Sequence, residues 1–298
     1  MKKLLLRTVV AAALAASCLG ASAGPVILGG DDLTDHGSRN GAGSNLEGWL
    51  YIQKAVSNIL TGVTRAGGMN FDIVALGSAA NPAFTAHNAG GAIGSAADVL
   101  GKTVLFVDGA AAISQFFDDL GLGNVNVRMM WIAGTGAPND LDTDEGLALT
   151  ADAAAINAFV TSGGGLMAHG SGTDAYGWLS ALLPGIVRTP LCTSTGATLT
   201  AAGQAAFPGL SNDDINQNAG PCHSSFSGDF GGLQTLGLDG RDRSYIIGGG
   251  GGTIIQCGDP GQPPCPTVPE PGSLPLALLA ALGLGLPALR RVAARKPD

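Results

Sequence analysis

The sequence predicts an α/β fold, an open, mostly parallel sheet flanked by helices, and three observations carry that expectation. Short and nearly continuous apolar runs (VILG, FDIVALG, TVLFVDG, VNVRMMWIAG, GLMAHG) recur between Val26 and Gly170, the form taken by strands covered on both faces. Segments with helical spacing of apolar residues lie between several of them, and strand and helix in alternation build parallel sheets. Most runs end in Gly, or in Asp followed by Gly, which punctuates a strand entering a turn.

Taken in order, VILG at Val26 reads as a buried strand that turns at Gly29 and Gly30. From Glu47 to Leu60 the apolar residues Leu50, Ile52, Ala55, Val56, Ile59 and Leu60 make one helical face. Strands follow at Phe71, Thr103 and Val125, with a helix from Ala110 to Leu120 between the last two. Thr150 is placed to cap a helix that Gly163 to Gly165 stop near Ser162. GLMAHG supplies a further strand, and Tyr176 to Leu183 a further helix. Beyond Pro184 short polar segments and the hairpin-like YIIGGGGGTIIQC predict antiparallel strands, or an insertion, completing the sheet.

Both ends of the chain read as targeting segments. Residues 1–23 have the form of a signal peptide: Lys2, Lys3 and Arg7, then an apolar stretch from Leu4 to Leu19, then the small-residue site Ala21-Ser22-Ala23. Signal peptidase cleavage there leaves Gly24 first. Cys18 offers a lipoprotein reading, against which Ala15 stands where leucine is usual. At the other end, Pro269, Glu270 and Pro271 precede an apolar run from Leu274 to Leu289 and the basic cluster Arg290, Arg291, Arg295 and Lys296. Sixteen residues at 1.5 Å rise make a helix of about 24 Å, slightly short of a bilayer's hydrocarbon core, and arginines can cover the deficit. The trailing positive charge holds that end in the cytoplasm and leaves the rest of the chain outside. This three-part order, residues 268–298, resembles the PEP-CTERM sorting signal. The resemblance implies a membrane stop processed by an exosortase, and release to the cell surface or extracellular matrix. An ordinary single-pass anchor shares the same topology.

Between these ends lie a body at residues 24–258 and a proline-rich linker at 259–267. The span Gly24 to Thr267 is 244 residues long and carries 8 basic against 21 acidic residues. Nucleic-acid binding is disfavoured, because phosphate contact needs a basic footprint. Cys192, Cys222, Cys257 and Cys265 remain after signal removal, an even number that predicts disulfides in an oxidising compartment. Three connectivities exist; Cys192 with Cys222 and Cys257 with Cys265 is favoured, because the second pair brackets a tight loop. Zinc ligation is disfavoured, since no CxxC occurs and His223 is the only histidine beside a cysteine.

Ligands of open α/β sheets gather at the carboxyl ends of the strands. There the sequence places Asp31, Asp32 and His36, then Asp108, then His169, Ser171 and Asp174. Each has a structural reading beside the chemical one. Asp31 and Asp32 suit a turn after Gly30, or paired carboxylates for a metal or sugar hydroxyls. His169 suits either backbone satisfaction at a strand end or the role of ligand and general base. The loop DLDTDEG offers Asp140, Asp142 and Asp144 to calcium, the one cofactor considered. Glu145 stands where such a loop needs glycine and Ala151 where it needs glutamate, which favours a solvated acidic loop.

The segment INAFVTSGGGLMAHGSGTDAYGWL, from Ile156 to Leu179, resembles the class I glutamine-amidotransferase-like superfold, especially its trehalose-utilisation-type branch, with Thr173 and Asp174 matching its Thr-Asp pair. LTAAGQAAFPGL from Leu199 is similar to the stretch that follows. The resemblance implies a flavodoxin-like sheet, and an elbow cysteine that this chain lacks: its elbow reads Ala168, His169, Gly170, Ser171, Gly172. Nor does a His-x-Glu follow, and Ser171 lacks the glycine frame of a nucleophile elbow. The expected function is therefore an exported, exosortase-sorted surface or matrix protein whose domain is non-catalytic and binds exopolysaccharide. The alternative is a hydrolase or metal-dependent enzyme acting on extracellular glycan through Asp31, Asp32, Asp108 and His169, which requires those side chains to converge. Calcium-dependent adhesion is a third reading.

Overall fold

A computed structural model describes residues 23–136, 141–170, 176–216 and 221–249. Its centre is a mixed sheet with ten strands among those residues. Five are parallel: β1 (Val26–Gly29), β4 (Phe71–Leu76), β5 (Val104–Val107), β6 (Val127–Ile132) and β7 (Gly165–His169), which lie side by side as β5-β4-β6-β7-β1. All four residues of β1 and all five of β7 are buried, which is why they read as unbroken apolar runs.

The connections explain the layers. A right-handed crossover puts its helix on one face when the chain moves one way along the sheet and on the other when it moves back. The steps β1 to β4 to β5 run in one direction, through α1 (Gly48–Gly62) and α2 (Ala89–Leu100), which pack together. The return from β5 through β6 to β7 uses α3 (Ala110–Leu122), then α4 (Thr143–Ala151) and α5 (Ala153–Thr161), with α3 against α4 and α5 against β7. A short hairpin of β2 (Gly37–Arg39) and β3 (Asn45–Glu47) precedes α1.

Antiparallel strands extend the sheet beyond β1. The strand β12 (Ser244–Gly249) runs against β1 from Val26↔Gly249 to Gly29↔Ile246. Beside it lie β10 (Ser225–Gly228), which pairs on its far side with β8 (Ile186–Thr189), and β11 (Gln234–Leu238), which pairs also with β9 (Thr198–Leu199). Two helices fill this part, α6 (Leu179–Leu182) and α7 (Ala201–Ala206), the second capped by the Thr200 hydroxyl accepting from Gly203 N–H. Gly24 is buried and donates its backbone N–H to the Val160 carbonyl at 2.8 Å.

Several elements depart from the expectation. The helix expected to start at Thr150 is two helices meeting at Asp152, and Thr150 lies inside the first, its hydroxyl donating to the Gly146 carbonyl. The helix expected from Tyr176 contracts to Leu179–Leu182. Gly248 and Gly249 belong to a central strand rather than to a hairpin turn, and β12 forms its hairpin with β11, which precedes it. Residues 1–22 of the leader, the linker, the sorting residues Pro269, Glu270, Pro271, Arg290 and Arg291, and the run 274–289 lie outside the described residues. Among the described residues no helix is long and apolar enough to cross a membrane.

Candidate functional site

Neighbouring strands β1 and β7 send their connections to opposite faces, so their carboxyl ends border a crevice of the kind that holds ligands in open α/β sheets. Here the crevice is packed. Gly29 leaves room for the Asp31 carboxylate to fold back over the strand: a Cβ on Gly29 would stand 1.6 Å from Asp31 Oδ2. Asp31 Oδ1 accepts from the Leu33 backbone N–H at 3.0 Å, closing the turn, and from His169 Nδ1–H at 2.8 Å. The other ring nitrogen of His169 meets Trp131 Nε1 at 3.1 Å. An indole nitrogen only donates, so His169 Nε2 is the acceptor and Nδ1 carries the proton. Side chains from the ends of three strands are thereby tied into one chain, and both Asp31 and His169 have zero exposure.

Phenols enclose this chain. Tyr176 O–H reaches the carbonyls of Gly29 at 2.7 Å and Ala168 at 3.0 Å, bridging β1 and β7. The Tyr51 ring stands edge-on to His169. Burial, and then the negative charge of Asp31, push the phenols of Tyr51, Tyr176 and Tyr245 well above the usual tyrosine range. Among the described residues neither Asp31 Oδ2 nor Tyr51 Oη has a hydrogen-bond partner.

The next residue does the opposite. Asp32 turns outward, where Oδ2 meets His223 Nε2 at 2.7 Å and Oδ1 lies 3.3 Å from His36 Nε2. Burial raises the Asp32 carboxyl, but the bonds and charges of His223 and His36 outweigh it and hold the group below the usual carboxylate range. The Asp32 bond raises His223, against the opposing effect of burial, and the charges of Asp31 and Asp35 add to it. His87 Nδ1 contacts the Asp35 carbonyl. All four histidines of the chain thus converge on the segment 31–36. Gly30 locks His223 in place: its carbonyl accepts from the N–H groups of His223 at 2.7 Å and Ser224 at 2.8 Å.

The remaining candidates do not join this cluster. Asp31 and Asp32 are not paired carboxylates, because consecutive side chains leave an extended strand end on opposite sides. Asp108 is exposed at the end of β5, four strand spacings, or about 19 Å, from β1. The convergence on which the glycan-enzyme alternative depended is therefore absent. Ser171 and Asp174 lie outside the described residues, as do Asp140, Cys257 and Cys265. Asp142 is the N-cap of α4: it accepts from Glu145 N–H at 2.8 Å, while Glu145 returns a bond to Asp142 N–H at 2.7 Å. Asp142 and Asp144 therefore lie at the start of a helix. Glu145, read from the sequence only as a misfit in a calcium loop, is buried and also accepts from Gly109 N–H at 2.6 Å, joining the end of β5 to α4. Burial raises its carboxyl, those two backbone bonds oppose the rise, and Asp142 and Asp108 add to it.

Cys192 and Cys222 form a disulfide with 5.5 Å between Cα atoms, as favoured from the sequence. They are also, with Asp239, the one group of potential metal ligands among the described residues. That group does not fit a metal: its sulfurs are bonded to each other, and Asp239 accepts from Arg241 N–H, Arg243 N–H, Thr193 N–H and the Arg243 guanidinium. Comparison with family models, with curated proteins and with solved structures finds no match for this chain.

Proposed function

We propose that this protein is exported, sorted by an exosortase through the PEP-CTERM-like tail, and delivered to the cell surface or matrix, where an amidotransferase-like domain without catalysis binds exopolysaccharide. The leader, the tail and the disulfide support the route, since such a bond persists in an oxidising compartment. The observation that carries the non-catalytic reading is His169. With Nδ1 donating to Asp31 and Nε2 occupied by Trp131, it has no free nitrogen with which to take a proton. The strand order lends support to a flavodoxin-like ancestry: β4, β5, β6 and β7 take the first four places of the 2-1-3-4-5 order, and β1 stands in the fifth.

Fractionation and mass spectrometry of the mature protein test the route. The expected species begins at Gly24 and ends near the Pro-Glu-Pro motif, outside the inner membrane. An intact chain kept in the cytoplasm would overturn the proposal. For the domain, matrix polysaccharide from the producing cell is expected to retain the wild type and His169→Gln alike, with no release of reducing ends.

A further inference from the structure

Two of the sheet's edges are built differently. At one edge β8 starts after Pro184 and Gly185, ends before Pro190 and carries Arg188 mid-strand. Flanking prolines and a central charge are devices that blunt an edge against pairing. The other edge, β5, has no such device. Among the described residues it pairs only with β4, through Ile73 N–H to the Thr103 carbonyl and Gly77 N–H to the Val107 carbonyl. The backbone groups of Val104 and Phe106 therefore point away from the sheet. Beside this edge an apolar groove of about 550 Å³ opens between β5 and α3, lined by Leu105, Val107, Ala112 and Phe116 among others.

The sequence of this edge is charge-complementary to itself. Lys102, Thr103, Val104, Leu105, Phe106, Val107 and Asp108 carry one cation and one anion, each three residues from Leu105. In an antiparallel pair of two such strands centred on Leu105, every Lys102 lies directly opposite an Asp108 on the same face of the sheet. Directly opposed residues are the unit of sheet stabilisation. Asp108 is exposed, and the ion pair of Lys102 with Asp72 is long at 3.9 Å, so both charges are available. We propose that β5 is a homodimer edge, joining a second copy of this chain about a two-fold axis through Leu105. The contact is isologous, closes after two copies, and covers both apolar grooves along the shared edge. It stands independently of the sorting reading.

The test is the oligomeric mass of the full chain, measured by light scattering in one detergent buffer for all variants. Wild type is expected to be a dimer. Lys102→Asp and Asp108→Lys each place like charges opposite one another and are expected to weaken dimerisation by about tenfold or more. The double variant Lys102→Asp with Asp108→Lys restores opposite pairs and is expected to return to wild-type mass. Backbone exchange supplies a second reading that does not depend on a variant folding: the N–H groups of Val104 and Phe106 are expected to be protected in wild type at high concentration and lose protection on dilution. A monomeric wild type, single variants that dimerise as it does, a double variant that stays monomeric, or exchange at those two positions that ignores concentration would each overturn the proposal.

Discussion

Asp31 and Asp32 are neighbours in sequence and opposites in environment. Asp31 lies at zero exposure, with one oxygen shared between the turn and His169. Asp32 is partly solvated, and its partner His223 is 42% exposed. Both pairs bring a carboxylate to an imidazole at hydrogen-bond distance, but they do different work. A buried pair whose member is removed leaves a desolvated polar or charged group behind, and the cost is large. A surface pair returns its groups to water, and the cost is small. The same chemistry therefore holds the sheet together on one side of the strand and tunes its surface on the other.

Breaking the buried side should have the largest effect. Gly29→Ala puts a methyl where Asp31 Oδ2 lies, and Asp31→Ala removes the acceptor of His169. Each is expected to cost about 3–5 kcal/mol, read as a fall in the urea midpoint. Next comes reduction of Cys192–Cys222, expected to cost about 2–4 kcal/mol and to free the segment that carries His223. The imidazole resonance of His223 should then shift while that of His169 stays in place. Trp131→Phe leaves His169 Nε2 buried without a donor and is expected to cost about 1–3 kcal/mol. A smaller loss would mean that the chain of three side chains does not act as a unit.

The surface side should give the smallest change. Asp32→Asn or His223→Asn is expected to cost below about 1 kcal/mol, and its signature is pH. The folded protein raises His223, so that contribution is complete below the unfolded histidine value of about 6.5 and is lost as pH rises through the folded value. Asp32 is depressed, so its contribution is present above about 3.9 and is lost as pH falls through its folded value. Wild type minus either variant should therefore show a plateau between about pH 4 and 6.5 and decline on both sides. A difference that stayed flat beyond both ends of that plateau would remove the electrostatic account of the pair.

What could be read from the sequence follows from how local each cause is. The parallel strands were legible because burial on both faces writes an unbroken apolar run. The helix Ala89–Leu100 was not, because Gly90, Gly91 and Gly94 depress helix propensity and its packing rests on alanines against α1. The strand-end rule found Asp31 and His169 together. It could not find His223, which sits 191 residues from Asp32 and is delivered by an antiparallel strand whose neighbours no local pattern states. The S/T/D-x-x-E signature of a capping box was present at Asp142 and Glu145 and would have located α4.

The place of β1 has a consequence for how the chain is made. Val26 is the partner of Leu166 on one side and of Gly249 on the other, so the first described strand has neighbours that follow it by 140 and 223 residues. Until they arrive, VILG is an unpaired apolar segment, and a chain leaving a ribosome or a translocation channel must carry it unfolded. Such long-range closure is slow and exposes strands to misassociation. A protein built this way closes its sheet only when β12 reaches β1.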